Sequence, residues 1–312
     1  MGDRRFALFL GCTTPARALN YEMSSRAVAR HLDIEFVDFD SFTCCGYPTE
    51  ALNRSTQMLI SARNLAVAER EGMDMTVLCS TCGTTLGHTI KHLKAHPEAR
   101  ATINEQLKAF DLEYKGKTTV RHFTRVIYED IGAKKVASLV TTPLDGLSFG
   151  ADYGCHYLKP ESVFDGFDDP AHPHTLDDLI NATGAVSLDF QQRMSCCGAA
   201  VLAIDEPTAV RLSGSKLEKI HNVKADGMIT QCQFCGIMYD EYQQFIGKQR
   251  GIDFDLPVLY LPQLLGWAFG LDLKEQLGFK LNAVKTTKLT EKIAQIHKSG
   301  VVPPLLPQQT PV

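Results

Sequence analysis

Thr76–Gly83 reads TVLCSTCG and Met228–Gly236 reads MITQCQFCG. In both stretches a short apolar run of strand type ends at or one residue before a CxxC pair, and a glycine follows the pair. Such a run fits a buried parallel strand. Reactive side chains just beyond a strand's carboxyl end are the usual placement in an open α/β sheet. Working outward, each CxxC proves to be the last part of a longer pattern. The first copy is Cys12, Cys44-Cys45, Cys79 and Cys82, spaced C-x31-CC-x33-CxxC. The second is Cys155, Cys196-Cys197, Cys232 and Cys235, spaced C-x40-CC-x34-CxxC. These are all ten cysteines of the chain. Gly46 and Gly198 follow the vicinal pairs, Gly83 and Gly236 follow the CxxC pairs, and Gly11 and Gly154 precede the lone cysteines; the four that follow are candidate cofactor-binding positions. The chain is therefore an internal duplication built around two thiol-rich sites.

Hydrophobic periodicity places those sites on elements. Phe6–Leu10 predicts a strand leading to Cys12, and Thr14-Pro15 opens a helix read over 16–32. A strand over 34–39 precedes Cys44, and a helix over 50–71 follows it. The second half repeats the plan. A strand over 149–153 delivers Cys155, a helix spans 176–182, and a strand spans 185–188. A helix over 206–223, a strand over 228–230 and a helix from about Gly236 complete it. Alternating strands and helices predict βαβ units and an α/β fold of two similar, Rossmann-like parallel sheets. Adjacent side chains of an extended segment point to opposite faces. Both thiols of a CC pair reach one centre only if the chain turns sharply, which assigns Gly46 and Gly198 a positive φ and a close approach to whatever the thiols hold.

At 312 residues, 44% hydrophobic and 22% charged, the chain is long enough for two globular cores. A net charge of −4 gives no reason to expect nucleic acid or a membrane surface as partner. Phe6–Leu10 is too short for the apolar region of a signal peptide, and Phe6 occupies the place where a myristoylation signal has Ser or Thr. No run approaches the ~18 apolar residues of a membrane span. The expectation is a cytoplasmic protein, whose cysteines stay reduced. Disulfides suit small secreted chains better, and a zinc site closes with four ligands, leaving one thiol of each five idle. Iron–sulfur clusters suit the thiolate set best, with zinc as a minor alternative.

The pattern resembles the B subunit of heterodisulfide reductase and its relatives, proteins with paired CCG domains, over roughly Phe6 to Leu271. RHFTRVIYEDIG (Arg121–Gly132), YGCHYLKP (Tyr153–Pro160) and PVLYLPQLLGWAFGL (Pro257–Leu271) are similar to that family as well. The resemblance implies an N-terminal CCG domain over 1–147, a C-terminal one over 148–272 and an extension over 273–312. It implies two noncubane [4Fe-4S] clusters, one on Cys12, Cys44, Cys45, Cys79 and Cys82, the other on Cys155, Cys196, Cys197, Cys232 and Cys235. Between them a disulfide is made or broken. Implied partners are a ferredoxin-like iron–sulfur protein, the C subunit of such complexes, and a flavin-bearing protein, their A subunit. The chain contains neither a ferredoxin cysteine run nor a G-x-G-x-x-G, so its electrons pass through another protein.

The chemistry agrees with a paired arrangement. A disulfide takes two electrons, whereas one iron–sulfur centre usually passes one, so two centres facing one substrate divide the work. His156, next to Cys155 in the GCH segment, is the candidate proton donor, the alternative being a histidine that only positions Cys155. Methanogen-type members have a glycine-rich stretch after the second CCG, where this chain has Ala199–Ile204. That favours a lipoate-bound sulfur substrate, as in the complexes of sulfur oxidisers, over the coenzyme M–coenzyme B disulfide. The competing function is a non-catalytic electron relay or scaffold with a zinc or ordinary cluster site. His88, His92 and His96 read as a solvated helix face, Lys159 and Arg193 as surface charge near the motifs, and Trp267 as packing. The proline-rich segment 301–312 reads as a disordered end or an arm on a partner.

Overall fold

The computed structural model describes residues 4–301, so residues 302–312 of the proline-rich tail lie outside the described residues. Two four-stranded sheets, parallel throughout, form the frame. The first holds β1 (Arg5–Phe9), β2 (Glu35–Val37), β3 (Met75–Val77) and β4 (Val120–His122) in the order β2-β1-β3-β4. The second holds β5 (Ser148–Asp152), β6 (Val186–Leu188), β7 (Gly227–Thr230) and β8 (Val258–Tyr260) in the order β6-β5-β7-β8. The registers correspond: Ala7 lies beside Met75 and Met75 beside Val120, while Phe149 lies beside Gly227 and Met228 beside Val258. The predicted α/β duplication is present. Phe6 to Phe9 and Ser148 to Asp152 are buried throughout, as central parallel strands covered on both faces are.

In each sheet the first strand lies between the second and the third. The chain leaves β1 toward β2 on one side and β3 toward β4 on the other, and likewise from β5 and β7. The crevice beyond the carboxyl ends of such a neighbouring pair is where open α/β sheets bind ligands. Cys12 and Cys79 follow β1 and β3, and Cys155 and Cys232 follow β5 and β7.

The two sheets share their core. One apolar layer joins Phe6, Leu8, Tyr21 and Val28 with Leu259, Leu264 and Trp267, and a second joins Phe9, Leu65 and Val77 with Leu217, Met228 and Val258. The helix Leu19–His31 packs on the helix Leu261–Ala268 across the junction. There the rings of Tyr21 and Tyr260 stack with centroids 4.1 Å apart.

Several boundaries differ from expectation. The helix read over 16–32 is interrupted at Ala18, whose φ of −133° and ψ of 49° separate Thr14–Arg17 from Leu19–His31. The helix read from residue 50 starts at Arg54, because Asn53 caps it, accepting from the Thr56 amide at 3.0 Å. Its twin Glu206–Asn222 is capped by Asp205 in the same way. The fourth strands, β4 and β8, were not anticipated.

Gly46 and Gly198 have φ of +93° and +80°, the turn the CC pairs call for. The reason they must be glycine lies on the helix behind them. A Cβ on Gly46 would stand 2.9 Å from the Gln57 carbonyl oxygen, and one on Gly198 2.8 Å from the Cα of Ala209. Gly198→Ala therefore combines left-handed strain with a backbone collision and should lower the unfolding free energy by about 2–4 kcal/mol. Gly251→Ala, at φ +67° with open space around it, should cost about 1 kcal/mol. Anaerobic urea unfolding of the two variants checks the difference.

Candidate thiol centre between the two sheets

All ten cysteines are free thiols, and their side chains form one unbroken run. From the first half it goes Cys12 to Cys44, Cys44 to Cys45, Cys45 to Cys82 and Cys82 to Cys79, each thiol close enough to shift the ionisation of the next. Cys79 then meets Cys232 of the second half. The run continues from Cys232 to Cys235, Cys197, Cys196 and Cys155. The structure thus brings together each predicted set of five and also sets the two sets end to end at Cys79 and Cys232. Cys12 is exposed at one end, and Cys155 is half-buried at the other.

Local backbone explains how the thiols are held. The Gly46 amide donates to Cys44 Sγ at 3.4 Å, and the Gly198 amide donates to Cys196 Sγ at 3.3 Å. Cys79 caps the helix Ser80–Ala95, its sulfur accepting from the Cys82 amide at 3.3 Å. A sulfur at a helix N-terminus is favoured as thiolate. The carbonyl of Cys45 accepts from Ser61 Oγ at 2.6 Å, and Ser213 makes the matching bond to Cys197. Gly11 and Gly154, which sequence reasoning noted but did not place in the site, face the sulfurs. Their absent Cβ atoms would lie 3.0 Å from Cys82 Sγ and 3.4 Å from Cys235 Sγ. At Gly83 and Gly236 an added Cβ would instead meet Val77 and Tyr260.

Electrostatics along the run divides donors from acceptors. Hydrogen bonding by Cys44 helps hold Cys45 down at about 4, and Cys155 and Cys197 hold Cys196 down at about 2. Their neighbours shift in the other direction: Cys12 is raised by Cys44, Cys155 by Cys196 and Cys235 by Cys197. So many adjacent sulfurs ionise together only against added positive charge, which iron supplies. Among the described residues no three His, Cys, Asp or Glu side chains converge as a single-ion site requires. An extended run of soft donors, five per strand-end crevice, fits a multi-iron cluster in each half.

His156 stands where the halves meet. Its Nδ1 lies 3.2 Å from Cys155 Sγ and 3.5 Å from Thr81 Oγ1 of the first CxxC, and its ring packs edge-on to Tyr47. Thr84 Oγ1 donates to its carbonyl at 2.6 Å. His156, Cys155, Cys196 and Cys232 line a cavity of about 90 Å³ over the second thiol set, which Tyr47 and Thr81 wall from the first half. Tyr47 and Thr81 were missed in the sequence, although both sit inside the motifs. His122 was missed too. Its Nε2 faces two carbonyls, Leu78 O at 3.2 Å and Gln231 O at 2.9 Å, while Nδ1 accepts from the Thr124 amide at 3.2 Å. Carbonyls only accept, so the proton is on Nε2 and the ring is neutral. Tyr21 also donates to Gln231 O, at 3.0 Å.

The remaining candidates take no part in the thiol run. Arg193 pairs with Asp177 and covers the ring of Tyr153 at 5.2 Å, and Lys159 is exposed. His92 and His96 stack on one another on a partly exposed helix face. Trp267 packs edge-on to Phe279 in the core.

Two segments, 6–87 and 152–240, match the cysteine-rich CCG domain. The chain is 33% identical to the B subunit of a ferredoxin/F420H2-dependent CoB-CoM heterodisulfide reductase of Methanosarcina acetivorans, over 94% of this chain and 98% of that one. It is 30% identical to an 8-methylmenaquinol:fumarate reductase membrane anchor subunit of Wolinella succinogenes, over 92% and 99%. A crystal structure of a hypothetical protein from Helicobacter pylori shares the fold, with a TM-score of 0.76 at 18% identity. That match covers 92% of this chain and 53% of the other. The chain belongs to the family of heterodisulfide reductase B subunits, with two CCG domains, and its thiol centre is that of an iron–sulfur redox protein. Among the described residues no helix is long and apolar enough to cross a membrane.

Burial pushes His122 down from its ordinary 6.5 to about 4. The unfolded chain therefore binds a proton that the folded one refuses between those values, so stability is lost as pH falls through that window. His122→Gln, which keeps an N–H donor but does not titrate, should remove roughly 3 kcal/mol of that pH dependence. Denaturant unfolding from pH 7 to 4 reads the change in slope, and an unchanged slope would contradict the burial argument.

Proposed function

We propose that this chain is the catalytic component of a heterodisulfide reductase-like complex, making or breaking a disulfide, or a lipoate-bound sulfur substrate, between two noncubane [4Fe-4S] clusters. The observation that supports this best is the meeting of the two thiol sets at Cys79 and Cys232 beside a cavity lined from both halves. The proposed division is two CCG domains over 1–147 and 148–272 with an extension over 273–312. Each set of five cysteines would hold one cluster, and each cluster when bound supplies one of the two electrons a disulfide requires. Electrons would be exchanged with a ferredoxin-like iron–sulfur partner and a flavin-bearing partner, and the protein would act in the cytoplasm.

The residues around the cavity have separable tasks. The amides of Gly46, Gly198 and Cys82 stabilise anionic sulfur without adding a titratable group. Thr81 and Cys155 fix Nδ1 of His156, which leaves the opposite nitrogen to carry the proton a departing thiolate takes up. Tyr47, Ala199, Ala200 and Phe234 give the cavity an apolar wall, which excludes water from sulfur–sulfur chemistry. The same wall suits an uncharged dithiolane better than a strongly anionic disulfide.

Anaerobic analysis should find about eight iron and eight sulfide per chain. His156→Gln should leave those contents unchanged and lower disulfide or dithiol turnover ~100-fold or more. The fumarate reductase name of the Wolinella relative favours a second reading, an electron relay or scaffold. A composition near four iron plus one zinc, or no disulfide or dithiol turnover in a chain with its full iron, would select it.

A further inference from the structure

The two halves differ beneath their cysteines. In the second, Lys216 and Asp152 are wholly buried, with Nζ 2.6 Å from Asp152 Oδ1. Nζ also donates to the carbonyls of Ser195 at 2.7 Å and Arg193 at 3.2 Å, in the loop that runs into Cys196. Thr230 Oγ1 donates to Asp152 Oδ2 at 2.9 Å. Three acceptors use the three N–H bonds of an ammonium, so the group is charged. Burial works against that charge, but Asp152, Cys235 and Cys197 together outweigh it.

Motif spacing identifies the counterparts in the first half. Ser61 and Ser213 lie 16 residues beyond Cys45 and Cys197 and bind their carbonyls. Three residues further on stand Asn64 and Lys216. Three residues before the lone cysteines stand Phe9 and Asp152, and two before the CxxC pairs stand Val77 and Thr230. Asn64 does the first half's loop tying with a neutral amide, accepting from the Thr43 amide at 2.9 Å and donating to Cys44 O at 2.9 Å. The same fold thus closes once around Phe9, Asn64 and Val77 and once around Asp152, Lys216 and Thr230. The architecture has no need of the ions, and a buried ion pair is a poor source of net stability.

We propose that Lys216, with Asp152, is a positioning and tuning pair that makes the two thiol sets unequal. A cluster on Cys155, Cys196, Cys197, Cys232 and Cys235 then accepts an electron at higher potential than one on Cys12, Cys44, Cys45, Cys79 and Cys82. The inference rests on the two-cluster reading above. The ammonium end of the pair is turned to the loop that runs into Cys196, and in this dry site it favours added negative charge on the neighbouring sulfurs more than the carboxylate on its far side opposes it. The first set has only dipoles in that place. Its consequence is an order: the second set is reduced first, and the first set is the stronger reductant.

Anaerobic potentiometric titration followed by electron paramagnetic resonance, on chain whose iron and sulfide have been counted, tests it. The wild type should show two one-electron waves. In Lys216→Met the higher wave should fall by at least a tenfold change in the reduction equilibrium, ~59 mV for one electron, while the lower stays. In Asp152→Asn, which keeps both carbonyl acceptors of Lys216 and so remains informative if the methionine variant fails to fold, the higher wave should rise. Lys216→Arg should leave it in place. Coincident waves in a chain with eight iron, a shift in the lower wave, or shifts of the same sign in the two charge-removing variants would overturn the inference alone. A chain without two clusters would overturn the two-cluster reading and this inference with it.

Discussion

One N–H bond organises the centre of this molecule. His122 Nε2 lies between the carbonyls of Leu78 and Gln231, the residues that immediately precede Cys79 and Cys232. A single donor shared by the two CxxC loops fixes their separation. That is why the thiol run passes from one half to the other instead of ending twice. The ring does this only while neutral, because protonation would set a second N–H against the Thr124 amide. Tyr21 reinforces the junction from the opposite side, donating to the same Gln231 carbonyl and stacking on Tyr260. His122 and Tyr260 end β4 and β8, so each sheet sends the tip of its last strand to the middle.

Duplication gives two similar crevices, and the junction turns them into one composite site. Each crevice forms where neighbouring strands feed connections in opposite directions, which leaves helix N-termini and loop amides free to face sulfur. The CC turns are pressed onto the helices Arg54–Arg70 and Glu206–Asn222 by glycines without room for a Cβ. Strain, helix packing and sulfur placement are thus coupled at Gly46 and Gly198. A change at either is felt by the thiols, because its amide is bonded to one of them.

Much of this was legible in the sequence because it was written in residues with few alternative uses. Ten cysteines in two matched spacings announced both crevices, and apolar runs ending at or near them gave the central strands. What escaped notice depends on contacts between distant segments. β4 and β8 are three residues each, no longer than β2, β3 and β6, but no cysteine motif follows them to mark a strand end, and their identity comes from pairing with β3 and β7. Nothing local distinguishes His122 from any other histidine, and its meaning arises only when Leu78 and Gln231 arrive together. Gly46 and Gly198 were read correctly as turns, but the crowding that demands glycine comes from Gln57 and Ala209. Lys216 looks like an ordinary helix lysine until Asp152 is seen beneath it.

The thiol run is also a line with two unlike ends. Cys12 is open to solvent, whereas the centre around Cys79, Cys82, Cys232 and Cys235 is sealed. Reagents from solvent therefore meet Cys12 first and the half-buried Cys44, Cys155 and Cys196 next, while the thiols at the junction of the two halves are closed to them.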